Sequence, residues 1–502
     1  MSQQFRLQLA GSYNTRQAAV NALSSSSGVI GAGVIGVMII GNAGVTTTKD
    51  QRFVNCFTER VVNPYTGKTT LYLVKRPGFA SSLTPSAGNI GNDVMIWTGN
   101  ASKIISAFGA TNSTVYDSTT SLGAITGKAT GLSETFVGSN LATVVTPSTD
   151  NTAWYYDTGV GVMTKIADAD FPGNAGKTLA GTFAHMDGYP FIMDTTGAVH
   201  NGDLNSITAW TAGASISANS YPDIGVGCIR NRDKIMAFGT ESVQFFHNVG
   251  YSSGSPLQRI EPMTLKVGCV AAAAVTFISD TVFWAGSSPQ GGLAIYKYSN
   301  NLERVSTPEI DALLILAGTG NISLSATKFY GRSFVIITAS TVIFVYCVEE
   351  NSWHEWNSSV PLWTRCAGVS AGSTQVTYAV SKSSTSGKVF TINPASLTFQ
   401  DNGEAYTATV QTSLVGEGNR RTFWEEVEVI GDRQTSASDL TIAVSDDDYQ
   451  NSTVLGTVDL SAARPRLTRC GSAYRRSWIL SHSANTAMRI ESLAGRKTVG
   501  SG

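Results

Sequence analysis

The sequence predicts an all-β protein: a β-propeller of six or seven blades, with an N-terminal arm before it and a C-terminal antiparallel β-sandwich after it. Three observations carry that prediction. Strand-length apolar runs separated by turn residues fill most of the chain. One hairpin pattern recurs with a drifting period in the forties. Segments with helical apolar spacing are few.

The pattern is clearest in residues 267–306. Apolar runs cover 270–278, 281–285, 293–298 and 302–305, separated by Ser279-Asp280, the glycine-rich stretch 286–292 and Ser299-Asn300-Asn301. Each run has strand length and β-branched or aromatic content, and each gap carries residues that turn a hairpin. Four such strands make one propeller blade or one sheet of a sandwich; repetition decides between them. The hairpin recurs at Asn140, Asp187-Gly188, Arg232-Asp233, Ser279-Asp280 and Gly331-Arg332, with weaker copies at Asn92 and Thr374. The steps run from 43 to 52 residues. Residue identity is not repeated, so six and seven blades both remain open.

Taken in order, the chain divides at 84 and 401. Residues 1–84 read as an arm and strap. A helix is expected at 15–23, then a serine tract at 24–27, then the uncharged stretch GVIGAGVIGVMIIGNAGV at 28–45. That stretch approaches membrane-spanning length, but its six glycines make it a poor helix. It reads as a glycine-rich hairpin, or as an arm reaching a neighbour, a channel axis or a membrane. Gly28, Ile30, Gly33, Ile35, Val37, Ile39 and Gly41 are the residues such a gate or intersubunit arm would use. Residues 85–400 hold the propeller, within which Pro308 opens the short helix EIDALLILA. Residues 401–502 alternate as sandwich strands do.

Charge is scarce and balanced. The 502 residues carry 35 basic and 36 acidic side chains, 14% charged in all. That balance argues against a dedicated nucleic-acid binder with a basic stripe, though not against a wall past which DNA slides. Low charge also fits surfaces covered by neighbouring subunits, although Ser, Thr and Asn solubilise equally well. The six cysteines are far apart without CxxC spacing and are expected as buried thiols, consistent with assembly in a cytoplasm. The N-terminal MSQQFRLQLAG lacks the pattern of a secretory signal.

Several motifs tempt and fail. Gly31-Ala32-Gly33-Val34-Ile35-Gly36 matches a dinucleotide fingerprint but follows serines rather than a strand. Gly176-Lys177-Thr178 ends like a phosphate loop, yet Phe171 stands where its first glycine is required. Gly368-Val369-Ser370-Ala371-Gly372 matches a nucleophile elbow but enters a β-run instead of a helix. The five histidines show no zinc spacing, and Asp446-Asp447-Asp448 reads as a solvated turn. The sequence therefore nominates no catalytic, cofactor or metal residue.

Other stretches carry a resemblance. QRFVNCF at 51–57, NPYTGK at 63–68 and KRPGF at 75–79 resemble the N-terminal signature of the tail hub proteins of short-tailed phages, also called tail nozzle or packaged-DNA stabilisation proteins. LAGSYNTR at 9–16 is similar to the motif before that signature. RDKIMAFGTESVQFFHNVG (232–250), VGCVAAAAVTFISDTVFWAG (267–286), IYKYSNNLERVSTPEIDALL (295–314) and FVIITASTVIFVYCVEENSWHEW (334–356) resemble consecutive blades of the same family. The matched positions include Asn55, Pro77, Gly78, Gly239, Glu241, Gly250, Gly268, Cys269, Phe283 and Trp284. Residues 28–49 look like an insertion between two family motifs.

The resemblance implies a non-enzymatic homo-hexameric ring in the virion tail, below the portal–adaptor ring. Such a ring would extend the DNA channel, retain packaged double-stranded DNA without sequence-specific contact, and carry a tail needle, fibres or other distal parts. Two alternatives stand beside it: a propeller enzyme degrading host glycans, and a receptor-binding tail adhesin. The first predicts arginines and carboxylates gathered at one propeller mouth, although no repeated Asp-box is present. The second predicts a trimer that binds cells.

Overall fold

The computed structural model describes residues 3–8, 34–38, 52–97, 103–137, 140–288, 292–340, 342–358, 365–368, 375–382, 385–417 and 419–500. The chain splits into two compact units. One comprises Ser81–Thr341 and Pro361–Ala395, the other Met1–Ala80, Val342–Val360 and Ser396–Gly502.

The first unit is the propeller. Five four-stranded antiparallel sheets follow one another in chain order, opening with strands Gly91–Trp97, Ser133–Val137, Leu179–Met186, Gly225–Asn231 and Val275–Ile278. A sixth group starts at Ile322–Phe329 and a seventh at Arg365–Gly368. Seven successive groups among the described residues resolve the blade number to seven. Each blade is local because its turns are local. Met186 pairs with Tyr189 across Asp187-Gly188, and both turn residues have positive φ, as a two-residue type I′ hairpin requires. Tyr330-Gly331 makes the same turn between Phe329 and Arg332, one residue earlier than the sequence placed it. The run expected at 270–278 is shorter too. Ala272–Ala274 forms a 3₁₀ turn and the strand begins at Val275, because consecutive alanines carry little β preference.

The ring closes between the first and last groups. Gly91 donates its amide to the Ser381 carbonyl at 2.8 Å. Val94, Phe108, Val380 and Val389 form one buried cluster across that seam. Closure leaves only short strand edges, those of the first strand of each complete blade among them. The expected helix spans Pro308–Ala317; Thr307 caps it, and Ile310 and Leu314 are its buried face.

The second unit is a sandwich of two sheets. One runs Val34–Met38, Gln3–Gln8, Arg489–Val499, Thr422–Gly431 and Arg466–Thr468, with Cys56–Val62 and Thr69–Lys75 joined to it. The other includes Thr453–Asp459, Asp439–Ser445, Arg475–His482, Ala408–Gln411, Arg52–Val54 and Ser352–Trp356. Their inward faces form a single core in which Phe53, Leu73, Trp424 and Leu493 meet Leu440 and Trp478. Trp424 and Trp478 pack edge to face at 5.5 Å between centroids. The sandwich thus draws on more chain than residues 401–502, since Phe53, Cys56 and Leu73 are buried in its core and Ser352–Trp356 pairs with Arg52–Val54. Two of its pairings are parallel, Gln3–Gln8 with Val34–Met38 and Arg52–Val54 with Ser352–Trp356.

Of the nominated arm residues, Ile35 and Val37 lie in strand Val34–Met38, opposite Phe5 and Leu7. Gly28, Ile30, Gly33, Ile39 and Gly41 lie outside the described residues, as does the helix expected at 15–23.

Candidate functional site

The family-motif residues fall into two structural nodes. The first joins blades four and five. A Cβ on Gly268 would lie 2.1 Å from the Thr240 carbonyl carbon, so only glycine lets these backbones approach. Gly268 accepts a hydrogen bond from the Trp284 indole at 3.1 Å, and the Cys269 amide donates to the Gly239 carbonyl at 2.8 Å. Asp223 accepts from the amides of Glu241 and Ser242, and its carboxylate fills the space a side chain on Gly239 would need. Phe283 and Trp284 are fully buried, and Trp284 meets Phe238 edge to face. Gly250 turns the chain at φ +71° in open space. Burial pushes the Cys269 thiol up to about 12, so it is packing and not a nucleophile.

The second node lies in the sandwich unit. Asn55, at φ 56°, accepts from Arg76 Nε at 2.9 Å and from the Asn357 amide, and donates to the Thr407 carbonyl. Arg76 is fully buried and meets Asp401 through two hydrogen bonds, at 2.6 and 3.0 Å. It also donates to the Pro77 and Asn357 carbonyls, and its guanidinium lies 4.0 Å over the Tyr406 ring. Burial alone would raise the Asp401 carboxyl. The Arg76 charge, Ser358 and the Phe79 amide outweigh it and hold the group below the usual carboxylate range. A Cβ on Gly78 would lie 2.0 Å from the Gln400 carbonyl oxygen, which fixes this corner of the chain. Beside it, Lys75 is fully buried, donating to the Ala484 carbonyl at 2.8 Å and facing His482 at 3.4 Å. Burial and then the Arg76 charge lower its pKa to about 8.

Arg76, Asp401, Tyr406 and Lys75 were not among the residues the sequence singled out. KRPGF held the two cations in view. Nothing local marks Asp401, 325 positions away.

The propeller also holds an axial cavity of about 650 Å³, lined by Met95, Glu134, Phe183, His185, Arg230 and Asp280 among others. These come from the first five blades. Arg232 and Asp280 pair across it at 3.3 Å. His185 contacts Thr135 at 3.2 Å, and its ring lies 4.6 Å from the Phe136 ring at a tilt of 53°. Burial, helped by Arg230, depresses His185 to about 4, so it is neutral at pH 7. No group of three or more metal-ligating side chains exists among the described residues. The cavity can receive a polar ligand or simply hold water.

No curated protein matches the chain. Among solved structures, BamB from Moraxella catarrhalis is similar over 68% of this chain and 97% of its own, at 11% identity and a TM-score of 0.39. The family model described as bacteriophage P22 Gp10, beta-propeller, matches residues 72–379, which is more than half the chain and takes in all seven blades except part of the last. The chain is therefore a member of the phage stabilisation family typified by bacteriophage P22 Gp10, a bacteriophage structural protein built on a β-propeller.

Proposed function

We propose that the protein is the tail hub, or nozzle, of a short-tailed phage: a homo-hexameric ring below the portal–adaptor that extends the DNA channel, retains packaged DNA and carries distal tail parts. The family match across the propeller is the observation that carries this reading. Physical features support it. A closed propeller offers few strand edges and resists strand exchange under load. A chain with 35 basic and 36 acidic residues suits a conduit, because each phosphate held would slow DNA exit. Assembly in the host cytoplasm, and an intersubunit or gating role for residues 28–45, belong to the same proposal. Deleting 28–45 should impair ring assembly or DNA retention; normal particles would remove the arm from the account. The function itself is tested with particles assembled without this chain. Their DNA should become nuclease-sensitive, and full protection would overturn the retention role.

One observation favours a second reading. The axial cavity gathers Arg230, Arg232, Glu134 and Asp280, the mixture a glycan-degrading propeller enzyme needs. Turnover of host capsule or sialoside by the purified chain, lost in Glu134→Gln, would establish that activity.

A further inference from the structure

Several arginines of the sandwich unit have carboxylate partners. Arg464 pairs with Glu428 at 2.6 Å, Arg489 with Glu59 at 2.6 Å and Asp432 at 2.9 Å, and Arg496 with Glu426 at 3.0 Å. One edge differs. Arg420, Arg421, Arg469 and Arg475 are all exposed, and none pairs with a carboxylate among the described residues. The backbone puts them together. Glu417 bridges Arg420, Gly416 pairs with Arg475, and Arg421 Nε donates to Ser472 Oγ at 3.0 Å. The Arg469 amide donates to the Glu425 carbonyl, four positions on from Arg421, which immediately precedes strand Thr422–Gly431.

Two aromatic rings interrupt this strip. Phe423 is 47% exposed and Tyr474 is 58% exposed. Phe423 pairs with Ser472, so strand alternation puts Arg421, Phe423 and Ser472 on one outward face. The carboxylates nearby are engaged elsewhere. Glu417 holds Lys497, Asp446 holds Arg476 through two contacts, and Asp447 accepts from Ser445 and Asn451. Glu425, on the same strand as Phe423, accepts from Thr498 Oγ1, and the four arginines outnumber the unmatched carboxylates of this edge on a chain whose net charge is only −1.

We propose that this edge, Arg420, Arg421, Arg469 and Arg475 with Phe423 and Tyr474, is a contact surface for the phosphate backbone of double-stranded DNA. Arginine forks suit phosphate oxygens, and exposed rings give apolar contact to sugars between them. An acidic protein surface would satisfy the charges but leaves the rings without that role. The inference rests on the hub reading and sharpens it by naming where the chain touches its cargo. Four phosphate contacts make a weak, salt-labile hold, suited to retaining DNA that must later leave.

The test uses the full chain and a fluorescent 20-base-pair duplex of random sequence, with anisotropy read from 50 to 200 mM NaCl. With four contacts, log K should fall against log salt with a slope of about −3.6, roughly a hundredfold loss over that range. Arg421→Ser with Arg475→Ser should reduce the slope by about two, and Arg→Lys at both positions should restore it. No binding at 50 mM NaCl, or an unchanged slope in the serine variant, overturns the proposal. Binding of a polyglutamate peptide in place of DNA also overturns it and assigns the edge to an acidic protein partner. Native mass of the same preparations separates this from the ring reading. A serine variant that assembles normally with an unchanged slope removes only the contact surface, whereas a wild-type chain that binds DNA but forms no ring removes only the hub.

Discussion

The two units solve the same problem, an all-β core, in opposite ways. In the propeller every complete sheet is one continuous stretch of chain, and blades meet through apolar clusters such as Met186, Phe191, Met193, Ile235 and Phe246. In the sandwich unit the strands come from both ends of the sequence and from residues 342–356, and the interior contains Lys75, Arg76 and Asp401. A repeat buries its surface piecemeal, so damage to one seam is shared among many. A discontinuous sandwich is pinned at a few points, and here those points are charged. Single changes should therefore cost more in the sandwich than in the propeller.

The largest contrast is expected at the Arg76–Asp401 pair. Asp401→Ala leaves a buried guanidinium without its anion and should cost about 3–5 kcal/mol, read from urea unfolding. Replacing both, Arg76→Met with Asp401→Leu, should recover much of that loss; equal losses in the single and double variants would show that packing, not charge, holds the corner.

Lys75 comes next. Its folded pKa, about 8, lies below the ordinary 10.5, so the unfolded chain binds the extra proton between those values. Stability from this group is complete above pH 10.5 and is lost as pH falls toward 8, by no more than about 3 kcal/mol. Lys75→Met should remove this slope and raise stability at pH 7. An unaltered pH profile would contradict the assignment.

In the propeller, Gly268→Ala should cost about 1–3 kcal/mol by forcing blades four and five apart. Gly250→Ala, strained in φ but facing open space, should cost about 1 kcal/mol or less. Equal midpoints for the two variants in thermal unfolding would remove the close-approach argument. Of the same small size is Thr307→Ala, whose hydroxyl accepts the Ile310 amide; about 1 kcal/mol is expected from the lost cap.

Legibility in the sequence follows the same division. Asp187-Gly188 and Ser279-Asp280 announce their hairpins because a two-residue turn is local chemistry, and their spacing exposed the repeat. The helix at 308–317 was readable from Pro308 for the same reason. Blade number was not, since only the fold shows that the seventh group closes on Gly91. Asp401 was unreadable because its meaning comes from Arg76 across 325 positions. The arginine edge was hidden twice, first by a net charge that averages it away, then by strand pairings that assemble it from residues 416–425 and 469–475. The motif residues Gly239, Gly268 and Trp284 were visible, and their geometry explains them as backbone contacts and packing.

The hub reading meets its most direct test in the native mass and negative-stain symmetry of the chain mixed with the portal–adaptor complex that reading proposes as its partner. Six copies on the adaptor in a six-fold ring are the predicted result. A trimer, or a monomer with no affinity for the adaptor, would contradict it and point to receptor or glycan binding instead.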